Sequence, residues 1–260
     1  VPSLSAIVVA RNEAENIQAC LESLGFADER LVIDGGSEDR TRAIAEACGA
    51  RVIVEADWQG FGVQRQRAQS CARGDWLLMV DADERVSTEL ASEIQEAVCQ
   101  AGHSGIQVFE IPRLTAVFGR FIRHGGWYPD PVARLYAREA THYDSARVHE
   151  RLVPGPSVRM GRLTHPLLHY SYRNLSQYLA KSSLYAKEWA NEREERGCRG
   201  SLGQGLVHAV GCFFRMTVVH AGFLDGPEGF LLAVLSAHST FIKYAELWLR
   251  GRTGSESGRG

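Results

Sequence analysis

Trp76-Leu77-Leu78-Met79-Val80-Asp81-Ala82-Asp83-Glu84 is the stretch on which the reading of this chain turns. An unbroken apolar run leads straight into three carboxylates. Such a run, bounded by turn signals, suits a strand buried on both faces of a parallel sheet. Its acidic end then lies at the strand's carboxyl end, where open α/β sheets hold ligands. On a regular strand Asp81 and Asp83, two apart, point the same way. Two convergent carboxylates without a nearby cation repel. A divalent metal, Mg²⁺ or Mn²⁺, relieves the repulsion and suits a diphosphate. A lone Asp-x-Asp also serves merely to cap the next helix, so the segments before it decide.

Upstream, strand and helix patterns alternate with short links. Leu4 to Ala10 is a β-branched apolar run ended by Arg11-Asn12-Glu13, and Ala14 to Leu24 has helical spacing. Arg30 to Ile33 is a second strand ended by Asp34-Gly35-Gly36-Ser37, followed by a helix closing at Gly49. Arg51 to Glu55 is a third strand, a helix lies within 60–73, and Ser87 caps another helix after the acidic stretch. This predicts an open, mostly parallel sheet with helices on both faces. Functional residues gather at three strand ends. Asp34 can accept a hydrogen bond from a base N–H, glycines let the backbone approach closely, and the acidic pair takes a metal and diphosphate. Together they point to a nucleotide-diphosphate site.

The stretches Ile7 to Glu13, Val32 to Thr41 and Gly74 to Glu84 resemble, in order and spacing, the family 2 inverting glycosyltransferases of the GT-A fold. The resemblance implies that Asp34 binds the base and that Arg11 and Glu13 line the nucleoside pocket beside Ala10, Asn12, Gly36 and Ser37. It implies that Asp81, with Ala82 next to it, lies near the ribose and metal, and that Asp83 ligates the metal. Arg65 and Gln66 fall where many relatives carry a basic residue followed by Asn near the donor, and Gln66 departs from that Asn.

The second half carries a strand at 105–111 and a loop, His124-Gly125-Gly126-Trp127-Tyr128-Pro129-Asp130, in which Trp127 is either a wall for a sugar ring or a packed turn residue. Val132 to Ala137 is a strand carrying Arg134. Inversion at an anomeric carbon needs a base for the acceptor hydroxyl, and a carboxylate can serve. The candidates are Glu150, Asp130 and Asp144, with Glu150 placed roughly where relatives hold an acidic base. Asp130 is equally suited to partner Arg134, and His149 to a structural or ligand role. Gly125 to Arg138, Val148-His149-Glu150 and Leu168-His169-Tyr170 are similar to the lipopolysaccharide inner-core glucosyltransferase group. That similarity implies a nucleotide-sugar donor, a UDP-sugar and UDP-glucose by preference, and a glycolipid acceptor. It also implies a location on the inner face of the bacterial inner membrane. Capsule, lipid-linked glycan or protein acceptors, and a non-catalytic sugar-nucleotide scaffold, remain alternatives.

Composition agrees. At 260 residues and 45% hydrophobic the chain can bury a full core, and a formal charge of −2 gives no basic excess for nucleic acid. Six singly spread cysteines read as reduced cytosolic thiols, and the amino-terminal segment lacks signal-peptide regions. The expected organisation is a transferase domain over 1–170 (nucleotide-binding half 1–102, acceptor-side half 103–170), a membrane-associating helical region over 171–250 and a disordered tail over 251–260. The apolar runs at 206–224 and after Pro227 are interrupted by His208, Arg215, His220 and Lys243. They are expected to lie on the membrane surface rather than cross it. Phe213, Phe214, Phe223, Phe230 and Trp248 are the anchors, and Arg196, Arg199 and Arg215 meet lipid phosphates.

Overall fold

A computed structural model describes residues 2–145 and 151–256, with side chains to residue 252. The chain divides into two compact units, Val1–Arg113 with Asp130–His169, and Leu114–Pro129 with Tyr170–Gly260.

The first unit opens with β1 (Leu4–Ala10), α1 (Ile17–Ser23), β2 (Glu29–Asp34), α2 (Thr41–Ala47), β3 (Arg51–Val54), α3 (Phe61–Cys71) and β4 (Trp76–Asp81). There follow β5 (Glu84–Arg85), α4 (Thr88–Ser104), β6 (Val108–Val117), β7 (Arg120–Phe121), β8 (Asp130–Ala137), β9 (Met160–Arg162) and β10 (Leu167–Tyr172). β7 belongs to the second unit, and β6 and β10 run from the first unit into the second. The strand order is β3-β2-β1-β4-β8-β6-β10-β5, parallel from β3 to β4 and antiparallel from β4 to β8 and from β8 to β6.

Alternation along β1 and β4 builds two apolar layers. Ala6, Val8, Leu78 and Val80 pack with Ile17 and Leu21 of α1 and Leu90 and Ile94 of α4. Ile7, Val9, Leu77 and Met79 pack with Ala68 of α3 and with Tyr136 and Tyr143. Helices therefore cover both faces, as the unbroken apolar strands require. Burying each Val, Leu, Ile or Met side chain among these contributes roughly 1.5–3 kcal/mol. Ser87 caps α4 by accepting from Leu90 N–H, and Gly105, at φ +67, ends it.

Two boundaries differ from the sequence reading. Helix α1 starts at Ile17 rather than near Ala14, because the Glu13 carbonyl accepts from both Asn16 and Ile17 N–H and closes a turn. Strand β6 continues to Val117, well past the strand end expected at Ile111, and turns into β7 at Phe118-Gly119, both at positive φ.

The second unit holds α5 (Leu175–Glu195), α6 (Leu202–Phe214), a π-helical turn at Arg215–Val219, a 3-10 turn at Gly222–Asp225 and α7 (Gly226–Glu256). Val117, Ile122, Tyr178, Met216, Leu232 and Ala233 form its core. Helix α7 runs on to Glu256, into the stretch expected to be a disordered tail. Once a helix is nucleated, each added residue gains a backbone bond, and the Glu246–Arg250 pair at 2.9 Å supports the last turns. Among the described residues, Leu202–Val219 is one helical stretch long and apolar enough to cross a bilayer, by length and composition alone.

Candidate active site

Parallel register brings the three strand ends together. Ala10 lies beside Asp34, and Val9 beside Asp81. The Ala10 carbonyl accepts from Gly35 N–H at 2.9 Å. Asn12 adopts the left-handed conformation, φ 57, and ties the first two loops together. Its N–H donates to Ser37 Oγ and its Oδ1 accepts from Glu38 N–H, each at 2.9 Å. Glu13 N–H donates to Thr41 Oγ1 at 2.7 Å. Asp34 is fully buried, accepts from Ser37 N–H and pairs with Arg42 at 3.2 Å. Gly36 needs its positive φ, 82, and lies close to Ala56, while the Trp58 ring covers Gly35 so tightly that a Cβ there would meet it at 2.5 Å. Arg11 projects outward and is exposed.

The acidic stretch departs from the sequence expectation. Strand β4 ends at Asp81, Ala82 and Asp83 form a turn, and the strand pattern resumes at Glu84. The turn is closed by Asp81 N–H donating to the buried Glu84 carboxylate at 2.8 Å. Asp81 is not without cations. Arg65 of α3 donates to Oδ1 at 2.7 Å and Arg134 of β8 to Oδ2. Burial alone would raise the Asp81 pKa, but Arg134 and Arg65 outweigh it and hold the carboxyl well below the usual range. Arg65 also lies over the Tyr143 ring, 4.9 Å from its centroid. Ala82 is buried, and its carbonyl accepts from Arg85 at 2.7 Å.

Ion pairs then continue inward. Arg134 meets Glu84 at 3.2 Å, Arg113 lies 3.8 Å from Glu84, and Arg113 pairs with Asp130 at 2.6 Å. Arg134 is buried, its Nη2 holds Asp81 and Glu84, and its Nε and Nη1 make no hydrogen bond among the described residues. Asp130 partners Arg113, the residue opposite it in the β6–β8 ladder, and not Arg134 as the sequence suggested. Burial pushes the Glu84 carboxyl up, against the pull of Arg134.

Asp83 points elsewhere, 3.3 Å from Nε2 of His169. The β10–β5 pairing, which sets His169 opposite Glu84, brings that imidazole in from far along the chain. Sequence reading gave neither His169 nor Glu84 a role. No local spacing joins His169 to Asp83, whereas the apolar run ending in Glu84 did mark a strand end. Among the described residues no three His, Cys, Asp or Glu side chains form a metal cluster. A carboxylate and an imidazole nonetheless fit an Mg²⁺ or Mn²⁺ ion that takes its remaining oxygens from phosphates and water.

Gln66 donates to the Tyr143 carbonyl at 2.6 Å. Asp144 exchanges backbone and side-chain bonds with Arg151. Trp127 belongs to the second unit, where it packs edge-on to Tyr172 at 6.5 Å. His149 and Glu150 lie outside the described residues.

The model of glycosyl transferase family 2 matches residues 5–145, more than half of the chain, and spans all three strand-end motifs. The chain belongs to this family. This family 2 glycosyltransferase is 28% identical over 253 residues to an uncharacterized glycosyltransferase of Rickettsia bellii, covering 94% of this chain and 85% of that one. It is 28% identical over 258 residues to the lipopolysaccharide core biosynthesis glycosyltransferase LpsC of Rhizobium meliloti, covering 95% and 92%. Among solved structures it is similar to S. aureus TarS 1-349, with TM-score 0.48 and 16% identity over 97% of this chain and 92% of that one. The GT-A-type α/β sheet with carboxyl-terminal helices is the architecture expected above.

Proposed function

We propose that this glycosyltransferase moves glucose from UDP-glucose onto a lipopolysaccharide core glycolipid, with inversion and with a divalent metal. We place it on the cytoplasmic face of the inner membrane. The observation that carries the donor reading is the placing of Asp34 and Asp81 at the carboxyl ends of β2 and β4, the two parallel strands that flank β1, with Asp83 in the turn after β4. Likeness to LpsC along nearly the whole chain supports the acceptor class.

Asp83, with His169 beside it, would hold Mg²⁺ or Mn²⁺, which neutralises the departing diphosphate when bound. Arg65 and Arg134 fix Asp81 at the rim of that site. Asn12, Ser37 and Thr41 lock the loops that meet the nucleoside, and Arg11 stands exposed for it. Glu150 is the proposed base. Asp130 is the alternative, although its Arg113 partner holds it as a carboxylate hydrogen-bond acceptor already in use.

Incubation with UDP-glucose, Mn²⁺ and a glucose-deficient core glycolipid should give a β-linked glucosyl product by NMR. An α-linked product would contradict inversion. Transfer only to a protein or another lipid-linked glycan would contradict the acceptor.

A further inference from the structure

Helix α6 is built inside out. Its inward stripe is small, Gly205 and Ala209, with Cys212 and Met216 further along. A Cβ at Gly205 would lie 2.9 Å from the Tyr244 Cβ of α7, so close approach of the two helices needs glycine there. The large aliphatic and aromatic residues point outward instead. Leu206, Val207, Val210, Phe214, Val218 and Val219 are each more than half exposed. In water the hydrophobic effect selects the opposite arrangement. Small residues between helices and large apolar ones outside is the pattern of helices packed within lipid.

The charge pattern agrees. From Arg196 to Leu224 there is no Asp or Glu, while Arg196 and Arg199 precede the apolar run and Arg215 interrupts it near its end. Such a segment is complementary to anionic phospholipid headgroups.

The same unit argues against crossing. Helix α7 packs on α6 and also on α5. The Ser182–Ser239 bond and the Trp189–Tyr244 contact tie α5 to α7. A crossing α6 would draw its partner's Lys243 and Glu246, and the Lys181, Lys187, Glu188 and Glu192 of α5, into hydrocarbon. At its far end, the turn after Val219 is tied to a polar loop. His220 C=O accepts from Gly125 N–H at 2.9 Å, and buried Asp225 accepts from Arg123 and His124 N–H.

We infer that α6 and its π-helical extension, Leu202–Val219, lie in the plane of an anionic bilayer with Val207, Val210 and Phe214 immersed among acyl chains. This rests on and deepens the membrane location proposed above, and assigns it to one helix face with lipid, not a second copy of the chain, as its cover. Phe213, taken from sequence as an anchor, turns inward and packs on Phe230 at 5.8 Å.

The test is flotation of the full chain with phosphatidylethanolamine/phosphatidylglycerol vesicles and with phosphatidylcholine vesicles, read with light scattering. Wild type should float with the anionic vesicles, and Val207→Asp and Val210→Asp should each weaken binding by about tenfold or more. Leu184→Asp on α5 should float like wild type. Undiminished flotation of both α6 variants overturns the inference. So does a wild-type dimer that stays off vesicles and dissociates on α6 substitution. Should an Asp variant unfold, Val210→Trp supplies the second reading, since its added fluorescence should be quenched by brominated lipid and that of Leu184→Trp should not. No quenching at 210 also overturns the inference. Flotation needs neither donor nor acceptor, so its failure is distinct from a failure of the proposed transfer reaction.

Discussion

Nε2 of His169 lies 3.3 Å from Oδ2 of Asp83, across the antiparallel pairing of β10 with β5. This contact gives Asp83 an imidazole neighbour, while Asp81 is held by two arginines. The two acidic residues of the motif therefore have different partners. Replacing His169 by Ala should weaken Mn²⁺ dependence of donor binding by on the order of tenfold or more. Metal titration followed by donor-induced stabilisation checks this. An unchanged metal requirement would remove His169 from the site.

Glu84 should act through position rather than contact with substrate. Its buried carboxylate closes the Asp81–Glu84 turn and stands between Arg134 and Arg113. Removing one member of a buried ionic network leaves uncompensated charge and costs about 3–5 kcal/mol. Glu84→Ala should destabilise by that order in urea unfolding. A double-mutant cycle with Arg134→Met should show strong coupling. Additive effects would mean that the two side chains are independent.

Asn12 offers a cleaner backbone test. A left-handed conformation costs an ordinary L residue roughly 1–2 kcal/mol, and Asn12 Oδ1 also accepts from Glu38 N–H. Asn12→Ala should lose both contributions. Asn12→Gly should lose only the hydrogen bond and unfold at a higher temperature than Asn12→Ala. Equal melting temperatures would place the whole effect in the side chain.

Acid should loosen the clasp between α4 and the loop before β10. Glu93 accepts from Thr164 Oγ1 at 2.6 Å, from Thr164 N–H at 2.7 Å and from His165 N–H at 2.9 Å. Burial alone would raise this carboxyl, but the Thr164 and His165 bonds together hold it below its ordinary 4.5. A lowered folded-state pKa gives stability that is complete above 4.5 and is lost as pH falls through the folded value. Glu93→Gln should therefore cost about 1–2 kcal/mol at pH 7, with the gap to wild type closing in strong acid. A gap that stays constant with pH would assign the loss to packing.

Much of this was legible in the chain because it is local. The apolar run at Trp76–Val80 fixed a buried strand, and the polar residues after Ala10, Ile33 and Val80 marked strand ends that parallel register must align. What periodicity could not supply were the long-range partners. Arg65 arrives from α3, Arg134 from an antiparallel strand and His169 from β10, so the premise of an Asp81 free of cations failed. The apolar composition of α6 was equally plain, but which side it buries depends on Gly205 meeting α7, a tertiary contact with no sequence period of its own.

The most direct measurement is thermal unfolding with UDP-glucose, UDP-galactose, GDP-mannose and ADP-heptose, each with and without Mn²⁺, for wild type and Asp83→Ala. A ligand that binds only the folded state raises the melting temperature by mass action. UDP-glucose should stabilise wild type only when Mn²⁺ is present, and Asp83→Ala should lose that shift while melting near wild type without ligand. Equal stabilisation of Asp83→Ala, or a shift independent of metal, would contradict a metal-assisted donor site at the end of β4.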